Sequence, residues 1–109
     1  MRKRTIISLA LACLLLTLGL KAAVSFARFS NLERHFDSVA VGQSRLAVVE
    51  KLGRPNYYSG SCGEIHNPPH GCVLEYVYSH PFAPLIPEYY IVSFSSDDRV
   101  IQADPWMSP

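Results

Sequence analysis

The stretch CVLEYVYSHPFAPLIPEYYIVSFS, residues 72–95, contains the two strongest strand patterns of the chain. Residues 72–79 and 89–95 are both rich in β-branched and aromatic side chains, a composition that is typical of strands. The segment between them, residues 80–88, carries three prolines at a spacing of three. It cannot form a helix or a central strand. The stretch therefore predicts two antiparallel strands joined by a long connection, which we call the proline loop.

Upstream of these strands, SRLAVVEKL at residues 44–52 has the pattern of an amphipathic helix. Ser44 can accept a hydrogen bond from a first-turn amide, and apolar side chains recur three and four residues apart. Gly53 predicts a left-handed C-cap, and Pro55 prevents the helix from continuing. A shorter helix is expected at residues 32–36, before this one.

Weaker strand patterns lie on both sides of the central stretch. A short strand is expected at residues 56–59, and a strand or strand end at residues 100–103. Residues 104–109 are expected to fray, with Trp106 packing back on the domain as the alternative. Two short helices followed by three or four antiparallel strands predict an α+β domain, with the helices packed on one face of the sheet. So small a domain has a marginal core, which a covalent crosslink would stabilise.

The first 27 residues differ in kind from the α+β domain expected at residues 28–109. Three basic residues at positions 2–4 precede the uncharged segment 6–20. Because positive charge is retained in the cytoplasm, this arrangement predicts a cytoplasmic N-terminus and a periplasmic C-terminal domain. We expect an uncleaved inner-membrane anchor through residues 6–27. The small-x-small sequence at residues 25–27 leaves a cleaved signal, and a periplasmic or secreted protein, as the alternative.

Two further sequence features narrow the class of protein. Six of the ten Lys and Arg and all nine Asp and Glu follow residue 27, so residues 28–109 carry a formal charge of −3. That charge argues against a nucleic-acid binder, which needs a basic face. Cys13 lies inside the apolar segment and is followed by more apolar residues, so we expect a membrane-buried cysteine rather than a lipid-modified one.

Several short motifs resemble those of the SmpA/OmlA (BamE-like) domain family, the small lipoprotein of the outer-membrane β-barrel assembly machine. They are VGQS at 41–44, valines at 48 and 49, LGRP at 52–55, EYVY at 75–78 and VSFSSDDRV at 92–100. The resemblance covers roughly residues 36–100. It implies a two-helix, three-stranded α+β fold, an envelope location and a role in binding other proteins without catalysis. The chain departs from the family in having no convincing lipobox.

A loop of turn composition contains Cys62, His66, His70 and Cys72. Two thiolates and two imidazoles could form a tetrahedral Zn²⁺ site. However, paired cysteines of an exported domain become disulfides, and this spacing fits no standard zinc module. We therefore expect a Cys62–Cys72 disulfide, which would contribute roughly 2–3 kcal/mol by the chain-entropy estimate. The four-residue metal site is the alternative.

The function expected from the sequence is that of a non-enzymatic, membrane-anchored protein-binding or scaffold module, whose partner is another envelope protein. No carboxylate pair, activated nucleophile or phosphate loop is evident in the sequence, and no cofactor or small-molecule substrate is expected. The candidate partner surface is the apolar set Phe82, Leu85 and Ile86 of the proline loop. Alternatively, these three residues fold back over the sheet. The alternative functions are a small metal-binding periplasmic protein and a secreted inhibitor or effector of another protein.

Overall fold

The computed structural model describes residues 2–63, 66–83 and 85–107. In chain order its elements are helix α1 (Arg2–His35), a 3-10 turn (Phe36–Ser38), helix α2 (Arg45–Leu52), and strands β1 (Tyr57–Ser59), β2 (Leu74–Ser79), β3 (Glu88–Phe94) and β4 (Val100–Met107). The four strands form one antiparallel sheet in the order β1-β2-β3-β4. This is the α+β class that the sequence predicts.

Helix α1 combines two segments that differ in composition, the apolar leader and the first helix of the domain. Its residues from Arg2 to Arg28 are exposed, whereas Phe29 and Leu32 near its end are buried in the core of the domain. The short helix expected at residues 32–36 is therefore the end of α1 and the start of the 3-10 turn. The physical reason is that residues 20–41 contain no glycine or proline, so no helix breaker separates the two segments.

Helix α2 begins and ends at the predicted residues. The Ala47 N–H donates to the side-chain oxygen of Ser44 over 3.2 Å, which is the expected N-cap. At the other end, Gly53 has φ +82° and ψ −169°, and its N–H donates to the Val49 carbonyl over 2.8 Å. The positive φ agrees with the prediction, whereas the extended ψ differs from the left-handed helical conformation expected from the sequence. A side chain with a Cβ is strained at that φ, so Gly53 ends the helix where other residues would not.

The hydrophobic core lies between the helices and one face of the sheet. Alternate residues of β2 and β3 point toward the helices, as the two-residue period of a strand requires. The buried cluster comprises Phe29, Leu32, Phe36, Val48, Leu52, Tyr76, Tyr78, Val92, Phe94 and Val100. The Tyr78 hydroxyl donates to the Gly53 carbonyl over 2.8 Å, which attaches the end of α2 to the sheet. Burial raises the pKa of this hydroxyl above its ordinary value of 10.0.

The C-terminal segment expected to fray is instead part of β4, which continues to Met107. In the register of β3 and β4, Tyr89 is opposite Trp106 and Tyr90 is opposite Pro105, and the rings of Tyr89 and Trp106 lie 6.1 Å apart. Pro105 is tolerated because β4 is an edge strand, where a missing N–H need not leave a neighbour unpaired. Residues 108 and 109 lie outside the described residues.

Candidate functional site

Four side chains on the face of the sheet opposite the helices are fully buried. They are Glu75 and Val77 on β2 and Ile91 and Ser93 on β3, and each is 0 or 1 % exposed. Glu75 lies opposite Ser93 in the strand register, and Val77 lies opposite Ile91. We call this set the second face. It differs from the helix-covered face because half of its buried side chains are polar, one of them a carboxylate.

The connection between β1 and β2 lies over Glu75. We call residues 60–73 the crosslinked loop, because the predicted Cys62–Cys72 disulfide closes it, with the two Cα atoms 6.2 Å apart. The Gly63 N–H donates to the Glu75 carboxylate over 3.2 Å. Gly63 has φ +97°, and a Cβ at this position would lie 2.9 Å from the Pro68 ring. Only glycine therefore allows the loop to approach the carboxylate in this way.

The imidazole of His66 lies beside Glu75, with its Nδ1 atom 4.0 Å from the nearer carboxylate oxygen. The His66 side chain is 9 % exposed and that of Glu75 is 0 % exposed. Among the described residues, neither His66 nitrogen has a hydrogen-bond partner, and the same holds for Oε1 of Glu75 and the Ser93 hydroxyl. Buried polar atoms are usually paired in folded proteins, so this cluster calls for an explanation.

The structure brings together some, but not all, of the residues predicted as metal ligands. Three donor atoms lie within 4.8 Å of one another: the Sγ atoms of Cys62 and Cys72 and one carboxylate oxygen of Glu75. Since the two sulfurs are bonded to each other, the oxidised protein offers no thiolate. His66 is buried against Glu75, whereas His70 is exposed. Sequence reasoning missed Glu75, and the only signal for it was a carboxylate in an otherwise apolar strand.

The proline loop is held against α1. The Phe82 ring lies 5.2 Å from that of Phe26, and the His80 ring lies 4.9 Å from that of Phe29. The His80 N–H donates to the Glu88 carbonyl over 2.9 Å, which closes the base of the loop. The three apolar residues of the candidate partner surface are nonetheless solvent-accessible: Phe82 is 50 %, Leu85 88 % and Ile86 40 % exposed. None of the three belongs to the buried core cluster. This exposure does not fit the alternative in which the three residues fold back and are buried over the sheet.

A groove of about 640 Å³ adjoins the proline loop. Its walls come from α1, from the end of α2 and the turn that follows it, and from residues 78–81 and 83. Arg28, Lys51 and Arg54 line the groove, and Glu50 is the one carboxylate among its lining residues. Among the described residues, neither Arg28 nor Arg54 forms an ion pair within 4.0 Å. The groove thus presents positive charge on a domain whose formal charge is negative.

Within the described part of the chain, α1 is the one helix that is long and apolar enough to cross a membrane. Its most apolar 18-residue window has a mean hydropathy of 2.2 and is exposed throughout. Length and composition are consistent with a membrane span or with a signal sequence.

Comparison with known proteins does not identify a family or a function for this chain. The chain matches no protein-family model, no curated protein and no solved structure. The resemblance to the SmpA/OmlA family therefore stays a prediction.

Proposed function

We propose that this protein is a membrane-anchored module of the cell envelope that binds another envelope protein through Phe82, Leu85 and Ile86. The observation that carries the proposal is their exposure on a loop that is itself fixed to α1. Grouped, solvent-facing apolar side chains are typical of binding surfaces, where a few large residues supply most of the affinity. The fixed φ angles of the prolines reduce the entropy that the loop loses when it is bound.

The continuity of α1 supports an uncleaved anchor. The helix passes through residues 25–27, where a signal would be cut, without interruption. Phe26 contacts the rings of both Phe82 and His80, so cleavage after residue 27 would remove contacts that hold the proline loop. Phe29 and Leu32, farther along the same helix, lie in the core. Basic residues at positions 2–4 favour a cytoplasmic N-terminus and a periplasmic domain.

The groove beside the proline loop supports a more specific description of the partner. Arg28 and Arg54 line it, and His80 belongs both to the groove and to the loop. A partner that covers both surfaces would need an apolar segment with acidic side chains next to it. We therefore propose an envelope protein with that combination as the ligand of this module.

Site-specific photo-crosslinking in intact cells tests the proposal. A photoreactive residue replaces Leu85 in the full-length chain. In a control variant of the same chain, the photoreactive residue replaces Leu46, which lies on α2 and is 68 % exposed. We expect a discrete protein adduct from position 85 and none from position 46. Adducts with lipid alone, the same adduct from both positions, or no adduct at position 85 would each contradict the proposal.

The anchor is tested separately by the mass and location of the mature protein. We expect the 12.2 kDa chain to remain intact and to stay in the membrane fraction after carbonate extraction. A reporter that is active only in the cytoplasm should be silent when fused to the C-terminus. A shortened, soluble protein that begins at residue 28 would show that the leader is a cleaved signal.

A further inference from the structure

We infer that reduction of the Cys62–Cys72 disulfide converts the second face into a binding site for a thiophilic divalent cation such as Zn²⁺. The ligands are the two cysteine thiolates, the imidazole of His66 and the carboxylate of Glu75. This set differs from the four ligands considered from the sequence, because Glu75 replaces the exposed His70. The inference is independent of the proposed protein-binding role, which depends on other residues.

Three of the four ligands already lie close to one another, and the fourth, His66, lies beside Glu75. The two sulfurs and a Glu75 oxygen lie within 4.8 Å of one another, and Nδ1 of His66 is 4.0 Å from the Glu75 carboxylate. Around Zn²⁺, with bonds of about 2.0–2.3 Å, tetrahedral donor atoms are roughly 3.3–3.8 Å apart. The two sulfurs and the Glu75 oxygen need only small movements to reach such distances, whereas the imidazole of His66, which lies outside that group of three, must move farther. Once the S–S bond is broken, the two sulfurs are free to separate.

The unpartnered atoms of the cluster give an independent reason for a cation at this position. A carboxylate that is fully buried is costly unless its charge is paired, and Gly63 satisfies only one of the Glu75 oxygens. Both nitrogens of the buried His66 also lack a partner among the described residues. A bound cation would accept electron pairs from Oε1 of Glu75 and from one imidazole nitrogen. It would therefore satisfy groups that are otherwise left unpaired.

The neighbouring residues fit the support that metal ligands usually have. Ser93 lies opposite Glu75 in the strand register, and its buried hydroxyl has no partner among the described residues. It could donate to a ligating carboxylate, while the Gly63 N–H already donates to that side chain. Hydrogen bonds of this kind hold a ligand in its binding orientation. β2 and β3, which carry Glu75 and Ser93, are the two central strands of the sheet.

The conversion requires a two-electron reductant, a dithiol in the cell. One thiolate of the reductant attacks a protein sulfur, breaks the S–S bond and forms a mixed disulfide, which releases the first cysteine as a thiolate. The second thiolate of the reductant then attacks its own sulfur in the mixed disulfide and releases the other cysteine. The reductant leaves as a disulfide, and Cys62 and Cys72 become thiols. Binding of the cation then displaces one proton from each thiol. In both redox states the loop stays attached, by a covalent bond when oxidised and by the metal when reduced.

Cobalt binding to the full-length protein in detergent tests the inference. The disulfide is reduced with a phosphine, which is oxidised to its oxide in the process, and Co²⁺ is added without oxygen. We expect one Co²⁺ per chain, with a thiolate-to-cobalt charge-transfer band and the strong visible bands of tetrahedral Co²⁺. Added Zn²⁺ should remove these bands. The unreduced protein should show none of them, and equal binding in both redox states would overturn the inference.

Matched variants identify the ligands. We expect His66→Gln and Glu75→Gln each to weaken Co²⁺ binding by more than roughly 10-fold, since even the loss of a supporting group costs that much. His70→Gln is the control and should bind like the parent. Equal weakening by His66→Gln and His70→Gln, or none by Glu75→Gln, would show that this ligand set is wrong.

A measurement on the unaltered sequence covers the case in which Glu75→Gln does not fold. The reduced protein is treated with an alkylating reagent with and without Zn²⁺, and its intact mass is determined. We expect Zn²⁺ to protect two thiols per chain. Alkylation of both thiols at the same rate with and without Zn²⁺ would overturn the inference.

Discussion

The two faces of the sheet bury their side chains in different ways. The helix-covered face packs Tyr76, Val92 and Phe94 against α1 and α2, and its buried cluster is aliphatic and aromatic throughout. The second face, beneath the crosslinked loop, buries Glu75 and Ser93 with atoms that lack partners among the described residues. Apolar burial stabilises a fold directly, whereas an unpaired buried polar group destabilises it. The comparison indicates that stability comes mainly from the helix-covered face, whereas the second face carries the buried polar groups to which we assign the proposed metal site.

The largest effect is expected on the helix-covered face. Phe94 is 0 % exposed, and Phe94→Ala should destabilise the domain by about 3–5 kcal/mol because it leaves a cavity between the sheet and the helices. Trp106 is the only tryptophan of the chain, so its fluorescence reports unfolding in denaturant. Phe82→Ala removes an equal volume from a half-exposed position and serves as control. Equal losses in the two variants would show that this face does not dominate the stability.

The second face should lose its covering when the disulfide is removed. Cys62→Ser combined with Cys72→Ser releases a crosslink between residues ten apart in sequence. The expected loss is roughly 2–3 kcal/mol, since the unfolded chain gains the freedom that the crosslink withheld. Chemical reduction of the parent protein in the presence of a chelator should lower the free energy of unfolding, measured by denaturation, by as much as the double substitution does. An unchanged midpoint would mean that the crosslinked loop contributes nothing to the folded state.

An intermediate effect is expected at the end of α2, on the helix-covered side. Gly53→Val should cost more than about 1 kcal/mol, because valine is strained at a positive φ. A Cβ at Gly53 would meet no atom within 4 Å, so the loss isolates the backbone conformation. Gly60 is equally open and does not have a positive φ, so Gly60→Val is the matched control. Equal denaturation midpoints for the two variants would contradict the proposed C-cap.

A smaller effect is expected from the Tyr78 hydroxyl. Tyr78→Phe removes its hydrogen bond to Gly53 and should cost about 1 kcal/mol at neutral pH. Tyr78→Phe also changes the pH dependence, because burial raises the pKa of Tyr78 above 10.0. Above that pH the unfolded chain loses the proton first, so the stability of the parent falls as the pH rises.

Denaturation midpoints measured across alkaline pH check the sign of this effect. Tyr78→Phe should make the alkaline decline shallower. It should not abolish the decline, since burial also raises the pKa of Tyr90. A decline equally steep in the parent and in Tyr78→Phe would contradict the assignment.

The smallest change in stability is expected outside both faces, in the proline loop. Leu85→Ser should alter the free energy of unfolding by less than about 0.5 kcal/mol, as surface substitutions usually do. The same substitution, with the photoreactive residue moved to the Ile86 position, should lose the partner adduct. A large drop in stability would place Leu85 in the core and would contradict its assignment to a binding surface.

Local signals in the sequence were sufficient for much of the fold. Ser44 and Gly53 define the ends of α2 through hydrogen bonds and a φ angle that depend only on neighbouring residues. The patterns of β2 and β3 were equally clear. The sequence did not predict that β4 continues through Pro105, because pairing of the edge strand depends on β3. Nor did the sequence predict one continuous α1, because the apolar leader and the soluble domain differ in composition, and this difference suggested a boundary between them.

The candidate site was only partly predictable. The spacing of Cys62 and Cys72, in a domain expected to be exported, was enough to predict their disulfide, which is present. Glu75 was placed on a strand, but period-two alternation shows only which face a residue occupies and not what covers it. Its burial results from the crosslinked loop, through Gly63 and His66, more than eight residues away in sequence. Contacts of that kind become visible only in three dimensions.

The absence of glycine and proline from residues 20–35 has a mechanical consequence. If α1 remains in the bilayer, no flexible linker separates the domain from the membrane-spanning segment, since the same helix continues into the core at Phe29 and Leu32. A helix whose apolar length exceeds the bilayer thickness responds by tilting. The sheet and the helix would then tilt together as one rigid body. The orientation of the proline loop relative to the membrane would therefore change with the local thickness of the bilayer.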